Sequence, residues 1–399
     1  MAGIFTGVRV VELAQYVFVP GGSVLLADQG AEVIKIEPPG TGDPYRSLRI
    51  GDGRETGKVN LAMEQNNRLK KSLALDLKTE EGREALLKLV ETADVFLTSL
   101  RPKAIRALKL DVEDLRARNP RIIYARGNGL GFRGAEADKP GYDASAFWAR
   151  GGMCWAFTRP GAQPTSPRPA LGDHAGSMAV AFGIASALFK RATTGEPSVV
   201  ECSLLGTAVW MLSADVTYSQ VPSYRVHGTQ VRAPLKYAYT TQDGRIIQLM
   251  LLDPRPHWAP LCRLVGVPEL IEDPRFVDHD ARTANADALI EILQQRIGAR
   301  TWAAWKPLFE GWDAPWELIH TVDDLSADPQ VIANGMVFPM QVGAEQVRAV
   351  AGPIAFDGRA APEAPQPSPS LGQHTEALLG ELGYSAEAIA DLRRRGVVQ

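Results

Sequence analysis

Cysteine is scarce in this 399-residue chain: Cys154, Cys202 and Cys262 are the only three, with no CxxC or paired Cys/His spacing. An odd, scattered set of thiols builds neither a disulfide framework nor a zinc site, so no metal is expected and a reducing, cytoplasmic setting is the expectation. Long apolar runs are missing too, none reaching about 18 residues, and MAGIFTGVRVVELAQ lacks a basic stretch before a long apolar one, so neither membrane spanning nor export is expected. Charge of one sign is lacking as well. The 43 Lys+Arg against 46 Asp+Glu leave a formal net charge of -3, which removes a whole-chain basic field for nucleic acid or a membrane surface. GxGxxG with its acidic partner, the P-loop, the GxSxG elbow, HExxH and the HxE…PCxxC pattern are all absent. Dinucleotide-fingerprint, serine-hydrolase and zinc-hydrolase readings fall with them.

What is present is ample core material, 45% hydrophobic residues, in a length that allows two or three domains at roughly 150 residues each. GVRVV at 7–11 and AEVIKIE at 31–37 read as strands, with a helix between them that Gly30 stops. The alternation continues: helix at 80–93, strand at 94–100, helix at 112–119, and the strand RIIYARGNG at 121–129 running into glycines. Strands alternating with helices predict a parallel sheet covered on both faces, with ligands beyond the strands' carboxyl ends, in the loops after Val11, Glu37, Leu100 and Arg126. Residues 173–192 are small and apolar nearly all round and predict a deeply buried helix. From about 230 the texture changes to a hairpin turning at Asp243-Gly244 and then helices, a smaller α+β domain. The expected division is 1–200 for the N-terminal part of a large α/β domain, 201–229 as linker, 230–320 as small domain and 321–399 as a return segment with a helical tail.

The chemistry is concentrated in ALGDHAGSM at 170–178. Asp173 reads either as the cap of the following helix or as a carboxylate nucleophile among small neighbours that let a bulky substrate approach. His174 reads as a proton shuttle or a structural histidine, and Tyr142 with Asp143, like Asp253 with His257, as site or turn residues. GTGD at 40–43 and GNGLG at 127–131 serve turns or cradle phosphate, and the basic run 66–78 is a solvated face or a rim for an anionic cofactor. Phe147, Trp148, Trp155 and Phe157 are either core or a roomy wall for a bulky acyl group.

In order and spacing, GVRVVELAQYVFVPGGSVLLADQGAEVIKIEPPGTGDPYR, NNRLKKSLALDLKTEEGREALLKLVETADVFLTSLRP, NPRIIYARGNGLG, KPGYD, ALGDHAGSMAVAFGIASALFKRATTGEPSVVECSLL, ADPQVIANGMV and the C-terminal LGQHTEALLGELGYSAEAIADLRRRGVV resemble, end to end, the family III CoA-transferases. That group includes formyl-CoA transferase, the carnitine-CoA transferase and α-methylacyl-CoA racemase. The resemblance implies a Rossmann-like large domain with its parallel sheet built from both chain ends, a small middle domain, and an interlocked homodimer. It implies acyl-CoA and a carboxylic acid acceptor as substrates, with coenzyme A as co-substrate and no permanently bound cofactor. Asp173 falls on the family's nucleophile, which passes through aspartyl anhydride and aspartyl-CoA thioester intermediates.

CoA contacts carry over to Leu75, Asp76, Leu77 and Lys78, to Ser99, Leu100 and Arg101, and to Lys139 through Tyr142. Three positions depart from formyl-CoA transferase: Val17 stands for a glutamine near the reacting centre, and Pro39 and Ala107 for two CoA-binding arginines, leaving Arg101, Arg106 and Arg46 as candidates for the missing cation. The alternative is an α-methylacyl-CoA racemase. That subgroup has a histidine where this chain has Tyr142, with Asp253 near a glutamate position, and a phenol is a poor α-proton base at neutral pH, so the transferase is favoured.

Overall fold

The computed structural model describes residues 3–48, 59–223 and 233–399. Residues 224–229 of the expected linker and 230–232 of the expected small domain lie outside them. The chain divides into two compact units, one of 1–217 with 329–399 and one of 218–328.

In the first unit, six strands form one parallel sheet: β1 (Arg9–Leu13), β2 (Glu32–Glu37), β3 (Lys71–Ala74), β4 (Val95–Thr98), β5 (Ile123–Asn128) and β6 (Val199–Ser203). Their spatial order is β3-β2-β1-β4-β5-β6, so the direction of winding reverses between β1 and β4. The crossover helices are α1 (Phe18–Ala27), α2 (Leu61–Asn67), α3 (Glu80–Glu91), α4 (Pro102–Leu108) and α5 (Val112–Arg116), followed by a π-helical turn at Asp143–Arg150, α6 (Met153–Phe157), α7 (Leu171–Thr194) and α8 (Leu204–Met211). Local signals set several boundaries. Thr79 caps α3 by accepting the Gly82 N–H at 3.1 Å, and Asp111 with Asp114 forms a capping box on α5.

Strand residues alternate between two cores. Val11, Ile34, Leu73, Phe96 and Tyr124 face α3, α5 and the C-terminal helices Thr375–Glu381 and Ala386–Arg394. Val10, Val33, Val95, Leu97 and Ile123 face α1 and α7. All six strands of this sheet come from residues 9–203; the return segment adds helices and a separate antiparallel hairpin, Val337–Val342 with Glu345–Val350, and pairs beside β3 as an isolated antiparallel bridge, Leu75 to Val398, where a strand in the main sheet was expected. Residues 201–217, expected as linker, supply the end of β6, α8 and a further helical turn to this unit, because an apolar helix has the sheet edge to pack on.

The helix expected to be deeply buried is α7, and it is buried on one face only. Gly172, Gly176, Ser177, Val180, Ile184 and Ala187 pack inward, whereas Met178, Phe182 and Phe189 are exposed, the two phenylalanines by 75% and 72%. All-round apolarity here means a second apolar face that the described residues leave uncovered.

The second unit holds an antiparallel sheet of β7 (Ala238–Thr240), β8 (Ile246–Leu249) and β9 (Trp316–Leu318), with β8 in the middle. Gly244, at φ +78°, makes the β7–β8 turn expected at Asp243-Gly244. Its core centres on Tyr239, Ile247, Leu261, Leu293, Trp305 and Phe309.

Candidate active site

A parallel sheet whose winding reverses leaves a crevice outside the carboxyl ends of the strands flanking the reversal. Here these are β1 and β4, and the loops leaving them, with the loops after β5 and before the π-helical turn, enclose a cleft of about 390 Å³. Gln15, Tyr16, Ser99, Leu100, Arg101, Gly127, Asn128, Lys139, Tyr142 and Asp173 are among its lining residues. Leu75, Asp76, Leu77 and Lys78 line a second hollow of about 240 Å³, and Gln15 and Leu100 border both. Two of the three segments expected to hold CoA therefore line the same cleft as Asp173, and the third, 75–78, lines the hollow beside it.

Asp173 is not the cap of α7. The capping position is Ala170, at φ +64°, whose side chain accepts nothing, and Asp173 is the third helical residue. Asp143, from the segment before, does the capping: its Oδ1 accepts the Gly172 N–H at 3.1 Å, and the Leu171 and Asp173 amides also point at it. Glycine is required at 172, because a Cβ would lie 2.2 Å from Phe147 and 2.5 Å from Asp143 Oδ1. With the helix end satisfied by another residue, the Asp173 carboxylate is left to the cleft. Burial first, and the Asp143 charge second, push its pKa up to about 7. Asp143 itself is buried, and its Oδ2 has no hydrogen-bond partner among the described residues.

Glycines of the 127–131 motif bring the walls together. A Cβ on Gly129 would sit 2.6 Å from the Cα of Gly141, so the strand end and the loop carrying Lys139–Tyr142 touch backbone to backbone. Neither the turn nor the phosphate-cradle reading of this motif names this close backbone approach, which is what the geometry at Gly129 displays. Ser99 Oγ accepts the Gln15 N–H at 2.9 Å and ties the β4 loop to the β1 loop. Arg101 opens α4 and donates to the Asp138 carbonyl at 3.1 Å. Lys139 pairs with Glu136 at 2.7 Å.

Among the candidate cations, Arg46 is consumed elsewhere. Its guanidinium grips the buried Glu37 carboxylate with two 2.7 Å bonds. Lys70, from the basic run, is fully buried and bound to Glu12 Oε2 at 2.9 Å, the Pro20 carbonyl and Asn67. Burial lowers its pKa to about 8 despite Glu12. Arg106 pairs with Asp138 at 3.3 Å on the α4 side. Lys78, Arg101 and Lys139 are the cations that line the groove.

Beneath the cleft lies an ionic lattice that sequence reading missed. Lys35 Nζ sits 3.0 Å from Glu12 Oε1 and 2.9 Å from Asp43 Oδ2, all with fully buried side chains. Burial opposes these charges, but Lys70 and Lys35 hold the Glu12 carboxyl down to about 2, and Glu12 with Asp43 keeps Lys35 protonated. Asp43 Oδ1 accepts the N–H groups of Tyr16 at 3.2 Å and Tyr45 at 2.9 Å. Ionisable residues inside the apolar strands RVVEL and EVIKIE were the available signal, since a buried charge needs a partner.

Other expected site residues go elsewhere. His174 Nε2 meets Asn66 Oδ1 at 3.1 Å and does not line the cleft. Phe147 and Trp148 belong to the core, and Trp148 stacks on Phe157 at 6.0 Å; neither they nor Trp155 line the cleft. Val17, at the expected glutamine position, is buried against Tyr45 and Met63. In the second unit, Asp253 is gripped by Arg255 at 2.9 and 2.8 Å, which with the Arg255 amide holds its carboxyl down to about 2. No group of His, Cys, Asp and Glu among the described residues is arranged to hold a metal. No helix among them is long and apolar enough to cross a membrane.

The model of CoA-transferase family III matches residues 5–375. The cinnamoyl-CoA:phenyllactate CoA-transferase of Clostridium sporogenes is 31% identical over 398 residues, 98% of this chain and 96% of that protein. The human succinyl-CoA:glutarate CoA-transferase is 32% identical over 399 residues, 98% of this chain and 89% of that protein. The crystal structure of a CAIB/BAIF family protein from Brucella suis superposes with a TM-score of 0.81 at 29% identity, covering 96% of this chain and all of that one.

Proposed function

The chain belongs to CoA-transferase family III and is an acyl-CoA:carboxylate CoA-transferase; from that premise we propose that Asp173 is its covalent nucleophile. One observation carries this reading. Asp143 caps α7 in place of Asp173, leaving the Asp173 carboxylate in the cleft that two of the expected CoA segments line, next to the hollow lined by the third.

A carboxylate oxygen of Asp173 attacks the thioester carbonyl, the C–S bond breaks, and an acyl-aspartyl anhydride and CoA thiolate result. The thiolate attacks the aspartyl carbonyl, releasing the donor acid and leaving an aspartyl-CoA thioester. An acceptor carboxylate displaces the thiolate to form a second anhydride, and the thiolate takes the new acyl group, returning Asp173. Each step is an exchange at a carbonyl in which the nucleophile already sits beside the reacting carbon, which converts bimolecular steps into intramolecular ones. Lys78 and Arg101 are the cations proposed for the phosphates of CoA, with Leu75, Asp76, Leu77, Ser99, Leu100, Lys139 and Tyr142 as further contacts.

The same reading includes a homodimer. The outer face of α7 and the exposed Trp210 and Met211 of α8 form apolar surface of the kind soluble chains cover with a partner. A groove lined by Phe5, Leu25, Met178, Phe182, Ile354 and Phe356 continues it. A second copy of the chain is the proposed occupant.

Racemisation has less support. An exposed Tyr142 and an Asp253 held by Arg255 make a weak pair of α-proton bases. Incubating the protein with labelled acyl-CoA donors and free acids tests the choice: CoA moving between acids is the expected result. Deuterium entering the α-carbon from solvent without CoA movement would select the racemase.

A further inference from the structure

Resting on the CoA-transferase reading of the Asp173 cleft, we propose that Tyr16 is a specificity-determining residue. It selects acyl groups with an uncharged aryl or branched alkyl substituent over those carrying a second carboxylate.

Tyr16 holds its backbone at φ +65°, a left-handed conformation that a bulky residue keeps only where its surroundings impose it. Here the imposing group is Asp43, whose Oδ1 binds both the Tyr16 and the Tyr45 N–H while its Oδ2 is pinned by Lys35. The buried ionic lattice therefore fixes two rings from beneath. The Tyr16 ring stands edge-on to Tyr142, with centroids 5.5 Å apart at 81°, and to Tyr45, at 6.4 Å and 66°. Tyr16 and Tyr142 line the cleft beside Asp173. A rigid wall of rings is a good surface for an aryl or branched alkyl group, which gains apolar burial and edge-to-face contact.

Charge at this end of the cleft argues the same way. Burial, with the Asp173 and Asp43 charges, pushes the Tyr45 phenol up to about 12, so it stays neutral in a negative field. Asp143 and Asp173 supply that field, while Lys35 and Lys70 are locked in buried pairs with Asp43 and Glu12. The cleft's own cations, Arg101 and Lys139, sit on the loops assigned to CoA. Among the described residues that line the cleft, no cation other than Arg101 and Lys139 would meet a second carboxylate on the acyl group, and desolvating that charge away from them is costly.

The test measures calorimetric Kd values of phenylpropanoyl-CoA and succinyl-CoA, each relative to CoA itself so that general loosening cancels, and the kcat/KM ratio of the two donors. Wild-type protein is expected to prefer phenylpropanoyl-CoA by about tenfold or more, and Tyr16→Val to reduce that preference to about threefold or less. Tyr16→Phe keeps the ring and should keep the preference, which covers the case in which the valine variant does not fold. Equal or tighter binding of succinyl-CoA by the wild type, or loss of both ligands in equal measure in Tyr16→Val, overturns the proposal. Intact binding preference without any CoA transfer would instead overturn the transferase reading and leave this one standing.

Discussion

Asp143 Oδ1 takes the Gly172 N–H one residue ahead of Asp173, and the Asp143 charge adds to burial in raising the Asp173 carboxyl to about 7. One carboxylate thus holds the helix end that presents the other and makes that other more basic, as the nucleophilic role proposed for Asp173 requires. A nucleophile of pKa near 7 is more basic than an ordinary aspartate yet largely ionised in slightly alkaline solution.

The pH dependence follows. If Asp173 is the nucleophile proposed, only its ionised form attacks, so kcat/KM for the donor should rise about tenfold per pH unit below about 7 and level off above it. Asp143→Asn removes the second charge while keeping an acceptor for the helix, so the midpoint should move to lower pH. Initial rates across pH 5–9 decide this, and an unmoved midpoint in Asp143→Asn would count against the coupling.

Stability carries the opposite sign. A carboxyl whose folded pKa lies above its unfolded value, about 3.9, stabilises fully below that value and loses the contribution as pH rises through about 7. Asp173→Asn should therefore unfold like the wild type at pH 4 but be more stable by about 1–3 kcal/mol at pH 8, the range allowing for screening of a partly exposed group. Urea unfolding at the two pH values measures the difference.

For CoA, replacing Lys78 and Arg101 together by Ala should weaken binding by roughly 2–4 kcal/mol, if each charged contact contributes about 1.5–3 and the two overlap. Arg46→Ala should leave CoA affinity within about twofold and instead destabilise the fold by about 3 kcal/mol, because the buried Glu37 carboxylate would lose its two guanidinium bonds and keep only Ser72 Oγ and the Asp43 N–H as donors. Calorimetry and denaturation separate the two effects, and a large loss of CoA affinity in Arg46→Ala would contradict the assignment.

Light scattering should report about twice 43.2 kDa at micromolar concentration, and Phe182→Asp with Phe189→Asp should shift the protein toward monomer by charging the exposed face of α7. A wild-type monomer that is folded and active would contradict the dimer.

Much of this is legible in the amino-acid sequence. Alternation of β-branched runs with helical stretches gave the parallel sheet, and Gly30 and Gly244 marked turns that require left-handed backbone. Asp173 stood out as a lone carboxylate among small residues, although sequence could not separate cap from nucleophile. That choice depended on Asp143, thirty residues earlier, reaching the α7 amides, a tertiary contact with no local signature. The Tyr16 conformation and its tie to Asp43 were hidden for the same reason. The α7 burial misreading had a different cause: an apolar helix surface says that something covers it, not that the same chain does.

The most direct measurement is to trap the proposed covalent intermediate. Borohydride added during turnover should reduce the aspartyl-CoA thioester, and hydroxylamine should convert it to a hydroxamate, each marking Asp173 alone in peptide mass spectrometry. Asp173→Asn should lose on the order of 10³-fold or more in rate, about 4 kcal/mol of barrier, and show no mark. An unmodified Asp173 in protein that is transferring CoA, or full transfer by Asp173→Asn, would contradict the account.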